Sequence, residues 1–512
     1  MGAEAGARMV QEVGRPGGAP GSGPAVLALD VGTSTARALL YDRRGVRQPD
    51  VQASTTLAWS AVDGGFEAAA EDLAGTIESL LDQAVARLRA AGRAVDAVAV
   101  ATFWHSLLGV DADGRPVTPV IPWMDGRSAA TVRRLRAQVD ERALHARTGA
   151  RLHPSYPLAR IRWLTESRPQ DAARVRRWLA FPEYLLLRWF GRTHAHLSMA
   201  SGTGLLDQRT RQWDPEALAL AGVHPDALPS LADTPAPASG LRESYASRWP
   251  PLARCPWYGP FGDGGTGNVG VGCLERGRVA VMVGTSGAMR VAWRGEPATP
   301  PWGLWTYRID GNRPVMGGAL SNGGNLFAWA RQVLDLEPDD VRLQMALAEV
   351  PPDGHGLTVL PFWAGERSPD YPEEARGWLV GFGLETTPVQ VLRALMEAVA
   401  YRFGVLYRLL QPHLPPLHRI VATGQALLRS AVWTQILADV LGQAVDLVDV
   451  QEASARGAAL LALEALGQGD PIATPPAVVR TIKPGPAAAA YREALARHER
   501  LYAHVLAGGP TA

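Results

Sequence analysis

Asp263 stands among glycines, in Gly262-Asp263-Gly264-Gly265. A carboxylate on so bare a loop can reach a hydroxyl and take its proton, the work of a general base. It could equally cap a helix built from the small residues 266–272. A second acid, Asp30, lies two residues before Gly32-Thr33-Ser34, and the same triplet returns at Gly284-Thr285-Ser286, 252 residues later. Each sits between two apolar strands, 26–40 and 279–293. Glycine permits the tight backbone, successive amides can point at one anion, and the two hydroxyls add donors. A plain hairpin tip would look the same if there were one copy; two in one frame point to a duplicated domain. Met282 replaces the acid in the second copy, so the first turn could hold a metal or water beside a phosphate and the second could only bind.

A further cluster is Trp123-Met124-Asp125-Gly126-Arg127-Ser128. An aromatic face, an acceptor and a fork of donors suit a polyhydroxylated ligand, although a surface ion pair beside a buried tryptophan has the same letters. Trp104-His105 follows the apolar strand 98–102, where a lone histidine is more often structural than a ligand contact. The tract 360–369 runs from aromatic to charged and reads as a packed loop with a salt bridge at Glu366-Arg367. No histidine pair has H-E-x-x-H spacing, and no G-x-S-x-G elbow occurs.

The elements that must carry these residues mix strands and helices. Residues 107–110 and 117–123 read as a hairpin around 111–114. Thr387-Pro388-Val389-Gln390 is a capping box, and the apolar spacing from Leu392 to Leu406 predicts a buried helix. The strand 420–423, the Gly424 turn and the helix 430–441 have the strand–turn–helix form in which α/β folds place nucleotides. The strand 445–450 then leads into a small-residue helix, 453–465.

Composition narrows the chemistry. The 512 residues hold 51 basic and 50 acidic side chains, a net charge of +1 that argues against nucleic acid or an anionic membrane as partner. Only one basic residue is lysine, Lys483, in a proline- and alanine-rich stretch. A Walker loop or a Schiff-base enzyme is thereby excluded, and any ATP must be held without lysine. Two cysteines, Cys255 and Cys273, are too few for a disulfide framework. The absence of a membrane-length apolar run, and a start that reads as a flexible tail, lead to a cytoplasmic expectation.

In order along the chain, these segments resemble the FGGY carbohydrate kinases, from residue 26 to about 463. The likeness rests on 29–35, Trp104-His105-Ser106-Leu107, Trp123–Ser128 as quoted, Gly262-Asp263-Gly264, 284–287, Gly317-Gly318, Asn322-Gly323-Gly324 and Gly424. Within the family it is nearest to gluconokinases through 105–108, 148–158, 284–290 and 364–369, with xylulokinases sharing the framework. Two positions depart from the family pattern: His196 replaces an aspartate, and Gln425 replaces the second glycine of the nucleotide turn.

The resemblance implies an α/β fold of two duplicated ribonuclease-H-like, actin-like ATPase domains with a catalytic cleft between them. The expected organisation is a tail at 1–24, an N-terminal domain at 25–275 carrying the sugar site, a nucleotide-binding domain at 276–466, and a linker and helix at 467–512. It implies ATP and Mg²⁺, with Asp263 as catalytic base and Asp30 toward the metal. Trp104, His105, Trp123, Asp125 and Arg127 would bind substrate. Gly32, Thr33, Ser34, Gly284, Thr285, Ser286, Asn322, Gly324, Gly424 and Gln425 would bind ATP. D-Gluconate is the expected substrate, with Arg127 meeting its carboxylate; a pentulose or polyol is the alternative. A silent sugar sensor and a filament-forming ATPase are the readings from other classes, and a homodimer is a possible assembly.

Overall fold

The computed structural model describes residues 25–506, apart from 235, 373–374, 469, 471–472 and 474; the expected tail at 1–24 lies outside them. β1 (Val26–Val31), β2 (Thr35–Tyr41) and β3 (Arg47–Thr56) form an antiparallel meander. The chain crosses over through α1 (Ala70–Ala90), whose Leu73, Ile77, Leu80, Leu81 and Leu88 are buried at helical spacing. It returns as β4 (Ala97–Thr102), parallel to β1, and after a long excursion as β5 (Trp257–Gly262), parallel to β4. α2 (Asp263–Gly270) follows directly. The sheet order is β3-β2-β1-β4-β5. β1 and β4 are buried along their whole length, which explains their unbroken apolar runs.

The second half begins with β6 (Arg278–Val283), β7 (Gly287–Ala292), β8 (Trp305–Asp310) and β9 (Arg313–Leu320), all antiparallel to their neighbours in the order β8-β9-β7-β6. α3 (Gly324–Val333) and α4 (Pro388–Leu410) come next, and α4 opens with the expected capping box. β10 (Arg419–Thr423), α5 (Ala431–Leu441), β11 (Val445–Val448) and α6 (Ala453–Ala465) complete the repeat. β10 runs parallel to β6, and β11 parallel to β10. Thus β9-β7-β6-β10-β11 reproduces the order and directions of β3-β2-β1-β4-β5. Both Gly-Thr-Ser turns join the first and second strands of their repeat, so the duplication read from two short turns extends through the topology.

The helices that follow β5 and β11, α2 and α6, pack on each other between the two sheets. Ala455, Ala458, Ala459 and Ala462 of α6 share one core with Ala28 of β1, Ala99 of β4 and Val269 of α2. Helix contact this close needs glycine: a β-carbon on Gly270 would lie 1.9 Å from the Ala453 carbonyl oxygen. One on Gly457 would lie 1.8 Å from that of Thr266. The small-residue composition of 453–465 is therefore the condition for joining the domains.

The hairpin around 111–114 forms irregularly, through antiparallel bridges at Val110–Pro116 and Leu107–Ile121 and a Val117 N–H to Gly109 O bond, and Leu108–Val110 also pairs with Arg177–Leu179. The C-terminal segment departs from expectation. Within 467–512, β12 (Val478–Ile482) adds an antiparallel edge to β11, and α7 (Ala488–Leu506) puts Tyr491, Ala494 and Leu495 into the second domain's core. The flanking prolines hid the β-branched run Val478, Val479, Thr481, Ile482.

Candidate active site

The β5–α2 junction explains its own glycines. A β-carbon on Gly262 would fall 1.9 Å from Trp104 Cε2, and one on Gly264 would lie 3.1 Å from the Arg290 guanidinium carbon. An indole and a guanidinium thus lie directly on the backbone that presents Asp263. Gly262, not Asp263, occupies the cap position, and Asp263 is the first helical residue, its carboxylate accepting from the Gly264 N–H at 2.7 Å. Behind the loop, Ser198 accepts from Gly262 N–H through its hydroxyl and from Trp104 Nε1 through its carbonyl. His196 caps the short helix Leu197–Ser201 by accepting from Ser198 N–H at Nδ1. An imidazole there does the capping that a carboxylate could do, which is the physical account of that departure.

Asp263 faces a cavity of about 220 Å³. The expected Thr33, Trp104, His105, Trp123 and Ser286 line it, joined by His153, Ser155, Tyr156, Arg290, Tyr307, Arg367 and Tyr371. Trp104 presents only its ring, since its N–H is taken by Ser198. His105 has φ of +69° and donates from Nδ1 to the Gly202 carbonyl, leaving Nε2 as an acceptor. Burial pushes its pKa down to about 3, so it stays neutral. Thr33 Oγ1 accepts from Trp123 Nε1 at 2.9 Å, which keeps its own proton free to donate.

Charges gather around Asp263. Burial raises the Asp263 pKa, opposed first by Arg290 and then by the Gly264 N–H and Arg367. Asp30, buried at the end of β1, is pushed up to about 7 by burial, then by Asp263 and Glu452, against Arg37. Arg290 is pulled down to about 10 by burial and held up mainly by Asp263.

The phosphate-binding candidates converge at the ends of β6 and β10. Gly324 N–H donates to the Gly284 carbonyl at 2.7 Å, and Asn325 N–H to that of Thr285. Gly424, at φ of +106°, packs against β6, where a β-carbon would meet the Val283 carbonyl oxygen at 2.3 Å. Gln425 opens the short helix Gln425–Arg429 beside these turns and accepts from Arg429 Nε at 3.2 Å. Asn322 is placed differently from the expectation. Its side-chain amide clamps the 364–365 loop, donating to Gly365 O and accepting from Ala364 N–H.

Asp125 and Arg127 are likewise absent from the cavity lining. Arg127 binds Asp125 at 2.8 Å and Glu67 at 2.9 Å, and its guanidinium lies over Trp163 at 4.9 Å. Asp125 also accepts from Phe66 N–H. With the Arg127 side chain 7% exposed and that of Asp125 0% exposed, this is a buried ion pair that holds the site's outer wall. Arg127→Met should therefore cost about 3–5 kcal/mol, because it strands the buried Asp125 carboxylate, while Glu67 keeps Arg168 at 3.2 Å. A thermal melt should fall by roughly 10 °C, with preference between acidic and neutral sugars unchanged. A selective loss on gluconate at normal stability would restore Arg127 to substrate binding. The 366–367 pair also re-forms elsewhere: Glu366 bonds Arg402 at 3.2 Å, and Arg367 lies over Trp123 at 4.7 Å.

Arg290 and Arg367 both lie within motifs that carried the resemblance, at 284–290 and 364–369. His153 and Tyr156 lie within another of those motifs, 148–158, although neither stands out there as a site residue; Tyr371 lies outside them all, where an aromatic letter near a proline looks like ordinary loop packing.

Two ribonuclease-H-like repeats, clasped by α2 and α6, with a carboxylate facing a half-open cavity of mixed polar and aromatic lining beside the paired Gly-Thr-Ser turns, define the actin-like class of phosphotransferases. The chain belongs to the FGGY family of carbohydrate kinases, matching its N-terminal domain over residues 25–270 and its C-terminal domain over 279–466. It is 28% identical over 460 residues to a gluconokinase of Bacillus subtilis, covering 87% of this chain and 88% of the relative. The fold matches the crystal structure of a ligand-bound xylulose kinase from Lactobacillus acidophilus with a TM-score of 0.88 at 23% identity, over 94% of this chain and 99% of that one. It also matches that of a gluconate kinase from the same organism with a TM-score of 0.87 at 23% identity, over 95% and 99%. The protein is a carbohydrate kinase, and kinases of this family use ATP. Among the described residues no helix is long and apolar enough to cross a membrane.

Proposed function

We propose that this kinase transfers the γ-phosphoryl of ATP to a primary hydroxyl of a sugar acid, D-gluconate in preference to pentuloses and polyols. The observation that carries the reaction is Asp263, an otherwise bare carboxylate in a sugar-sized cavity that Thr33 and Ser286, one from each phosphate turn, also line. Asp263 would orient the hydroxyl and take its proton, while His105 Nε2 accepts from a second hydroxyl and the aromatic rings cover the carbon chain. The turn amides and hydroxyls would hold the phosphates in place of the missing lysine. Such a transfer needs mainly positioning and charge stabilisation.

Asp30 fits a cation: its carboxylate is buried among like charges, with Arg37 as its one opposing neighbour. Mg²⁺ held there, through water, would neutralise charge on the phosphates. The preference for gluconate is supported by the likeness to gluconokinase and by the motifs at 284–290 and 364–369.

The test is a coupled ADP-release assay with gluconate, xylulose, ribulose, glycerol and erythritol at equal concentration. Gluconate should give the highest kcat/KM. Gluconate at background would remove the substrate assignment and leave the class intact.

A further inference from the structure

We propose that Arg367, set beside Arg290 in the sugar cavity, is the seat for a carboxylate carried by the substrate. This rests on the cavity being the sugar site. The charged side chains that line it are Arg290, Arg367 and Asp263. His105 and His153 are neutral there, because burial pushes both well down. Two guanidiniums against one carboxylate leave one positive charge unmatched, and a buried charge needs a partner. Glu366 is near enough to be felt but makes no ion-pair contact with the Arg367 guanidinium, since its carboxylate is bonded to Arg402 and to the Arg367 N–H.

The two arginines also differ from Arg160 and Arg393, although an unpaired buried nitrogen is shared by Arg151 and Arg278 outside the cavity. Arg160 ends on the carbonyls of Pro154, Ser155 and His105, and Arg393 on Glu397, Leu347 O and Tyr491. By contrast, Nε of Arg290 and Nε of Arg367 are buried with no hydrogen-bond partner.

Geometry divides their work. Arg290 packs on Gly264 beside Asp263, where the reacting hydroxyl must lie. Arg367 is fixed by Leu320 O and by the face of Trp123, and its segment joins Tyr371, whose ring meets His153 at 5.2 Å. Nδ1 of His153 accepts from Ser155 N–H, so its proton is on Nε2. Donors from Arg367 and His153 in one wall suit a group that only accepts, which a carboxylate is and a hydroxyl is not.

The rival source of negative charge is the γ-phosphoryl of ATP, so the experiment begins without nucleotide. Calorimetry on the full chain should show D-gluconate binding at least about tenfold tighter than sorbitol, which has the same carbon chain without the carboxylate. Arg367→Met should lower gluconate affinity on the order of 10²-fold and shift sorbitol by less than about threefold; Arg367→Lys should recover part of the loss. Equal wild-type affinities, or an equal loss on both ligands, would overturn the seat. So would unchanged affinities with ADP release lost on every sugar, which would assign Arg367 to the phosphoryl group. If Arg367→Met does not fold, the Lys variant and the wild-type comparison still decide. Arg367-dependent gluconate binding without gluconate turnover would keep the seat and remove the proposed function, so the two fail separately.

Discussion

Asp263→Asn is expected to lower kcat by a factor on the order of 10²–10⁴, the range for a general base, while gluconate affinity stays near wild type. Asparagine keeps the size of the side chain and an oxygen that can accept from the Gly264 N–H at the start of α2. What it loses is the capacity to take a proton. It also leaves Arg290 without its main counter-charge, so a modest loss of stability should accompany the kinetic effect. Because burial raises the Asp263 pKa and only the ionised form can act, wild-type activity should fall with decreasing pH, at a pH above the ordinary aspartate value. Turnover of the Asn variant within about tenfold of wild type would remove the base role. A large loss of gluconate affinity with kcat preserved would make Asp263 a binding residue instead.

The second large effect should come from a position outside the cavity. Gly457→Ala places a β-carbon 1.8 Å from Thr266 O and 2.9 Å from Gly270 N, backbone that cannot turn aside as a side chain can. α2 and α6 must then separate, and with them the two sheets. Overpacking of this kind costs roughly 1–3 kcal/mol or more, so the melting temperature should drop by roughly 2–6 °C. Asp263 opens α2, and Ser454 of α6 donates to the Asp263 carbonyl at 3.1 Å, so displacement should also reach the base. A fall in kcat of tenfold or more is expected, with the sugar-binding wall intact. Gly75→Ala in α1 is the control: nothing lies within 4 Å of the added carbon, and helix propensity alone should stabilise it by up to about 1 kcal/mol. If Gly457→Ala melted and turned over like wild type, the close approach of the helices would not govern the site.

Much of this was legible in the letters, and the reasons are local. The two Gly-Thr-Ser turns are legible because a tight turn that offers amides to an anion restricts its residues to a few small types. The Asp263 loop is legible because its neighbours must be glycine for an indole and a guanidinium to pack on the backbone. The capping box of α4 is read from four consecutive residues, of which the first and last, Thr387 and Gln390, bond each other. The lysine count excluded whole mechanisms without any structure.

What local pattern could not decide is where long charged side chains end. Arg127 and Arg367 both stand in motifs that resemble the family, and both look able to meet an acid. Arg127 is neutralised by Asp125 and by Glu67, 60 residues earlier in the chain. Arg367 is separated from its sequence neighbour Glu366 because Arg402 takes that carboxylate.

The sequence by itself determined the duplication and, through the Asp263 loop and the two lysine-free Gly-Thr-Ser turns, the family and hence the class of reaction. Only the tertiary structure decided which arginines remain in the cavity, that His105 and His153 face it as neutral groups, and that Asn322 and Arg127 are spent on the scaffold. A guanidinium settles on whichever counter-charge folding brings within reach, and in this chain that partner is often dozens of residues away.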